Sequence, residues 1–167
     1  KKAKSFGIGL VSLCNTNHIG RLGEYTLIAA RKNLVGVGMT NASANVAPFG
    51  SNSRLLGTNP ISMAAPSSDG KPVLVDLATS IIPEGKVKAY RNAGKTLPKG
   101  LLIDKKGIPS INPNDLYDGG ALLPIGGYKG SALSIMVEIL GGILSGTGSP
   151  AFLDWQGGNG VTFIVID

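Results

Sequence analysis

Histidine and cysteine are the scarcest reactive residues in this chain of 167, with one of each, His18 and Cys14. A lone cysteine excludes an internal disulfide. One histidine and one cysteine do not close a zinc site by themselves. Aromatic residues make up only 5 %, too few to interleave a basic surface with stacking platforms, so a net charge of +6 does not make a nucleic-acid partner. No apolar run reaches the roughly 20 residues of a membrane span, and the start has no signal-like pattern. The expectation is a cytoplasmic domain with no membrane partner. Phosphate-binding signatures are also missing. There is no Walker A sequence, and the nearest approach to a dinucleotide fingerprint, "GIGLVS" at Gly7, lies within a strand pattern and lacks the glycine at a helix start. The chain opens on Lys1 rather than Met and ends at Asp167 inside a strand-like run. A piece of a longer protein is expected.

Glycine is abundant, 25 residues without a period, and hydrophobic residues make up 43 %. This favours a folded domain with many tight turns and close backbone approaches over a linker or a fibre. One domain over residues 1–167 suits the length. Basic residues are densest from Lys86 to Lys106, where Asp104 is the only acid. A solvated face and loop is the plain account of this stretch, and a contact for an anionic small ligand is the alternative.

Along the chain, "SFGIGLVSLCN" (residues 5–15) is an apolar run expected as a buried strand. "RLGEYTLIAARKN" predicts a helix with Lys32 and Asn33 at its C-terminal end, and "LVGVGMT" a second strand, which together make a βαβ-like unit. Residues 41–60 form a long loop rich in Asn, Ser, Gly and Pro, of the kind that carries function in compact domains. "ISMAAP" and "PVLVDLATS" predict two strands joined by the turn "SSDGK". "PEGKVKAYRNAGK" predicts a short helix, and residues 97–120 mostly turns with one short strand at most. The strongest helical pattern runs from Tyr128 to about Leu144, with Leu133, Met136, Leu140 and Ile143 on one stripe expected to be buried. "VTFIVID" closes the chain as a central-type strand. Continuous apolar strands alternating with helices predict an α/β fold whose sheet is covered on both faces.

Chemistry concentrates at a few points. His18, in "NTNHIGRLGEY", follows a strand end, where α/β folds place their active groups. Histidine exchanges protons near neutral pH, so His18 is either an acid/base group or a turn residue with its hydrogen bonds satisfied. Cys14, four residues earlier, is either half of a thiolate–imidazole pair or a small hydrophobe in an apolar strand. In "LLPIGGYKGSAL", Gly126 and Gly127 permit a tight turn into a helix. Free N–H groups there, with Lys129, make an anion site unless Lys129 is simply solvated. Asp76, at the end of "VLVD", either accepts from a ribose or caps a turn.

Taken in order, "NTNHIG", "VAPFGSNSRLLGTNPI", "VDLATS", "EGKV" and "LLPIGGYKGSALSIMVEILGGILSG" resemble the type 2 malate/L-lactate dehydrogenase family, whose relatives include ureidoglycolate, sulfolactate and diketogulonate dehydrogenases. The resemblance covers nearly the whole chain. It implies a non-Rossmann, three-layer α/β/α sandwich around a mixed sheet, using NAD or NADP to interconvert 2-hydroxy and 2-oxo acids such as malate or lactate, in a homodimer. By the same resemblance His18 is the acid/base residue. Ser43, Asp76, Leu77, Ala78, Lys129 and Gly130 are implied at the cofactor, and no metal is. Family members also carry N- and C-terminal segments that this sequence does not contain, including a second histidine and a substrate-binding arginine. Gly50–Ser51 stands where the family has paired glycines. Asp76 favours a free ribose hydroxyl and so NAD, while the basic stretch after it suits the 2′-phosphate of NADP. The alternative is an inactive cofactor-binding or assembly domain of such an enzyme.

Overall fold

In the computed structural model, which describes residues 1–167, the apolar segments meet in a five-stranded sheet of order β1-β8-β2-β3-β4. The strands are β1 (Ile8–Thr16), β2 (Val35–Thr40), β3 (Ile61–Ala65), β4 (Val73–Leu77) and β8 (Asn159–Ile166). β8, the most β-branched segment, takes the place between β1 and β2. The βαβ-like unit is therefore split, with β1 and β2 pointing the same way and the C-terminal strand inserted antiparallel between them. Every ladder of the sheet is antiparallel, which corrects the expected mixed sheet to an antiparallel one.

Helix α2 (Gly23–Ala30) lies against β2, β3 and β4. Glycines in β2 make room for that helix and for the β8 ring of Phe163 beside it. A Cβ on Gly36 would stand 2.8 Å from the Thr26 carbonyl oxygen, and one on Gly38 would stand 3.0 Å from the Phe163 ring. The contact is polar at its centre, where the buried Thr26 and Ser62 hydroxyls share a 2.8 Å hydrogen bond. The alternating β2 residues Val37 and Met39 point to the opposite face, where Met39 packs with Ile61 and Val137 and Val37 lies against them. Val137 ends helix α5 (Tyr128–Val137), which continues as a π-helical segment, Glu138–Ile143. Strand alternation thus gives the sheet one helix on each face at β2.

A second lobe surrounds a three-stranded sheet, β6 (Pro109–Ser110), β5 (Leu102–Ile103) and β7 (Ala121–Leu122). Helices α3 (Glu84–Asn92) and α4 (Asn114–Tyr117) flank it. The expected turn-rich stretch of residues 97–120 therefore holds two short strands and a helix, and β7 follows at once. The largest apolar cluster, Val46, Leu56, Ile82, Val87, Leu97, Leu102, Leu116 and Leu122, sits in this lobe. It anchors the long loop through Val46 and Leu56, which pair as a β-bridge.

Two expectations about burial are corrected. β1 does not begin at Ser5, because Lys2–Phe6 forms a short helix α1 ended by Gly7 in a left-handed turn. As an edge strand beyond the reach of α2, β1 is exposed along most of its length, Cys14 included. Most of the apolar stripe of the α5 pattern also faces outward. Leu133, Met136 and Ile143 are exposed and only Leu140, half-buried, packs against the cluster of Met39, Ile61 and Val137, whereas Gly130, Ser131, Ser134 and Val137 turn inward. The helix is held by small and polar residues that let it approach the sheet and loops closely. No helix is long and apolar enough to cross a membrane.

Candidate active site

Strand ends bring the reactive residues together. β1 closes at Thr16, whose Oγ1 donates to the Asn159 carbonyl at 2.8 Å and so ties the His18 loop to the start of β8. Beyond His18, the Tyr25 hydroxyl donates to the Ile19 carbonyl at 2.8 Å. His18 is thus pinned on both sides while its own side chain stays exposed. It lines a cavity of about 480 Å³ with Ser43, Asn45 and Thr58 from the long loop, Glu84 from the start of α3, and Asn159.

The lining is almost entirely polar and uncharged. No lysine or arginine contributes, and Glu84 is the one carboxylate. Glu84 Oε2 accepts from Asn45 Nδ2 at 3.2 Å. Asn45 Oδ1, by contrast, lies buried without a partner. Two of the proposed site residues, His18 and Ser43, therefore share one cavity.

The other proposed residues lie apart from it. Asp76 Oδ2 accepts from the Gly23 backbone N–H at 3.0 Å and stands 3.3 Å from Arg21 Nε. One carboxylate oxygen therefore caps α2 from across the sheet, supplying the negative charge that a helix start favours. Gly23 permits it, since a Cβ there would stand 2.6 Å from that oxygen. Leu77 packs beside the cluster of Met39, Ile61 and Val137, and Ala78 is half-buried next to it. The strand then runs to Thr79, whose N–H donates to the Thr58 carbonyl and whose carbonyl accepts from the Ile125 N–H. This chain of backbone bonds links the His18 cavity, through Thr58, to the turn that opens α5.

That turn lines a second cavity of about 430 Å³ with Phe49, Gly50 and Ser51. Gly126 and Gly127 both take positive φ, and Gly127 is the residue before the helix. No side chain caps the helix start, which leaves the first N–H groups open to an anion. Lys129 is exposed, with Nζ 6.0 Å from the Tyr128 ring centre. Gly130 faces inward, and a Cβ there would meet the Ile125 carbonyl oxygen at 1.9 Å. Its glycine serves the closeness of turn and helix. No three His, Cys, Asp or Glu side chains converge as a metal site.

Asn45, Thr58, Glu84 and Asn159 escape a reading of the sequence alone. The first two lie in the long loop already marked as functional, and Glu84 sits in "EGKV" as a helix-start residue. Only Asn159, in a glycine-rich stretch before β8, carries no local signal.

The family model for malate/L-lactate dehydrogenase matches residues 1–167. The chain belongs to the malate/L-lactate dehydrogenase family. It is 49 % identical over 153 residues to a malate dehydrogenase of Pyrococcus horikoshii, covering 87 % of this chain and 42 % of that one. It is 41 % identical to a Δ1-pyrroline-2-carboxylate/Δ1-piperideine-2-carboxylate reductase of Pseudomonas syringae pv. tomato, covering 93 % of this chain and 45 % of that one. The crystal structure of Δ1-piperideine-2-carboxylate reductase from the same organism superposes with a TM-score of 0.92 at 40 % identity, over 99 % of this chain and 52 % of that one. The chain thus spans less than half the length of these curated relatives.

Proposed function

We propose that the protein carrying this chain is an NAD- or NADP-dependent oxidoreductase acting on a 2-hydroxy acid of the malate or lactate type and its 2-oxo acid. The observation that carries this reading is the polar cavity shared by His18 and Ser43, in a chain of this family. The residues fit a nicotinamide cofactor. Ser43, Thr58 and Asn45 suit a carboxamide, and Lys129 with the N–H groups opening α5 suits a pyrophosphate. Asp76, Leu77, Ala78 and Gly130 are proposed beside the cofactor, on the strand end and helix start that Thr79 links by backbone hydrogen bonds to Thr58 and Ile125. When bound, the cofactor gives or takes the hydride. His18 manages the proton: its imidazolium donates to the carbonyl oxygen in reduction, and its neutral form accepts the hydroxyl proton in oxidation. With this reading go a cytoplasmic homodimer and a three-layer α/β/α architecture for the whole protein.

Glu84 favours a second substrate class. A carboxylate facing the substrate suits a protonated C=N group better than a neutral carbonyl, and one relative is named for cyclic imino acids. The test is a panel of 2-oxo acids and Δ1-pyrroline-2-carboxylate with each reduced nicotinamide, using the complete gene product. His18→Ala is expected to lower turnover by about 10²–10⁴-fold while the Kd for the cofactor is unchanged in a fluorescence titration. Full turnover in His18→Ala removes His18 from the reaction. A wild-type protein that binds neither nicotinamide supports the alternative reading, an inactive assembly domain of such an enzyme.

A further inference from the structure

Glu138 is the one buried carboxylate that the chemistry proposed above does not use. It opens the π-helical segment at the end of α5 and is 4 % exposed. Its Oε1 accepts from Asn41 Nδ2 at 2.8 Å, and its Oε2 accepts from Asn59 Nδ2 at 2.7 Å. Both asparagines are fully buried. Insertion of an extra residue per turn is rare in helices and recurs beside functional sites.

The orientation of both amides is fixed by backbone donors. Asn41 Oδ1 accepts from the Gly160 N–H at 2.8 Å, and Asn59 Oδ1 accepts from the Ala42 N–H at 3.2 Å. A backbone N–H only donates, so each amide must present its oxygen there and its NH₂ toward Glu138. Neither can flip without losing a backbone partner. Space is closed as well: a Cβ on Gly142 would stand 2.3 Å from Asn41 Nδ2, and one on Gly57 would stand 2.6 Å from Asn59 Oδ1. The pocket between the two amides therefore requires a residue that only accepts. Glutamate does so with two oxygens, whereas glutamine would turn an NH₂ group against one of the two amides.

The residues tied this way adjoin the cavity. Asn41 precedes Ala42 and Ser43, Asn59 follows Thr58, and Gly160 follows Asn159, all four neighbours lining the His18 cavity. One carboxylate thus fastens both ends of the long loop and the start of β8. Resting on the reading of that cavity as the nicotinamide site, we infer that Glu138 is a positioning residue, which through Asn41 and Asn59 sets Ser43, Thr58 and Asn159 in place for cofactor binding without touching the cofactor.

The test compares Glu138→Gln with Val137→Ala in the complete gene product. Val137 is fully buried one residue earlier but outside the network. At temperatures where both variants are folded, Glu138→Gln is expected to weaken the Kd for reduced nicotinamide at least tenfold and to lower kcat/KM by at least as much. Val137→Ala is expected to keep both within threefold. Hydrogen exchange gives a reading independent of any ligand. The amides of Ala42 and Gly160 should exchange at least tenfold faster in Glu138→Gln, while the β2–β3 ladder stays protected. If Glu138→Gln does not fold, Glu138→Asp, which is one methylene too short to meet both amides at once, is measured in its place with the same split expected. A folded variant with wild-type affinity and protected Ala42 and Gly160 amides overturns the inference, as does an equal loss in Val137→Ala. Failure of the wild type to bind either nicotinamide, with the exchange result intact, sinks the functional reading instead.

Discussion

Gly130→Ala separates two forces that act in opposite directions. Helix propensity favours the change, since alanine is better than glycine in a helix by about 1 kcal/mol. Sterics oppose it. The new Cβ would stand 1.9 Å from the Ile125 carbonyl oxygen and 2.8 Å from both its carbon and the Ile125 Cγ2. The first of these is backbone, so no rotamer relieves it. The turn cannot move freely either, because the Ile125 N–H donates to the Thr79 carbonyl at 2.8 Å. Overpacking of this kind costs about 1–3 kcal/mol, and giving up the Ile125–Thr79 bond adds about 1 kcal/mol. Against the propensity gain, the net is a loss of about 1–3 kcal/mol. At roughly 2–4 °C per kcal/mol for a protein of this size or larger, Tm falls by several degrees in a thermal melt of the complete gene product. A fluorescence titration should show weaker nicotinamide binding, since the displaced turn leads directly into the helix start that carries Lys129. Gly85→Ala is the companion measurement. A Cβ there meets nothing within 4 Å, so propensity alone acts and stability rises by up to about 1 kcal/mol. A Tm for Gly130→Ala equal to or above that of the wild type would refute the claim that close approach, rather than helix formation, fixes this glycine.

Two further outcomes follow from charges in the fold. Asp76→Asn removes the negative charge from the start of α2 and from Arg21, and should cost about 1 kcal/mol in denaturant unfolding; a variant of wild-type stability with weakened nicotinamide binding would instead make Asp76 a cofactor ligand. Burial raises the pKa of Glu138 above its ordinary 4.5, opposed but not cancelled by the hydrogen bonds from Asn41 and Asn59. Between 4.5 and that raised value the native state holds a proton that the unfolded chain has released, so stability falls as pH rises through the window and the cost is complete above it. Unfolding free energy measured from about pH 5 to 8 should therefore decline more steeply in the wild type than in Glu138→Gln, and parallel profiles would show that Glu138 ionises normally.

Local signals in the sequence are good wherever one segment decides its own structure. Pro83 and Gly94 bracket α3 as their conformations require, since Pro83 precedes the helix in extended geometry and Gly94 takes a positive φ after it. "SSDGK" closes the β3–β4 hairpin, and α5 starts at Tyr128 directly after the paired glycines. Pairing partners are another matter. That β8 lies between β1 and β2 depends on contacts some 150 residues apart, such as the Ser12–Thr162 hydroxyl pair, and no local pattern encodes them. The candidate site divides in the same way. His18 and the long loop announce themselves, while Asn159 joins them only because β8 is inserted where it is.

Helix α5 is the most instructive miss, because its periodicity is real and, Leu140 apart, points the wrong way. Apolar spacing says that a face suits an apolar neighbour; it does not say that the other face is wet. Here the side opposite Leu133 and Met136 carries Gly130, Ser131, Ser134, Val137, Glu138, Gly141 and Gly142, all buried. Glycine and serine bring the backbone within reach of loops, and Ser131 Oγ accepts from the Phe49 N–H at 3.1 Å while the Ser134 carbonyl accepts from Asn59. The work of this face is to receive polar groups from the long loop, for which small side chains and one carboxylate are required. Hydrophobicity counts such residues as surface. Their true signature is the co-occurrence of Asn41, Asn59 and Glu138, three groups whose donors and acceptors match only when the chain between them has folded.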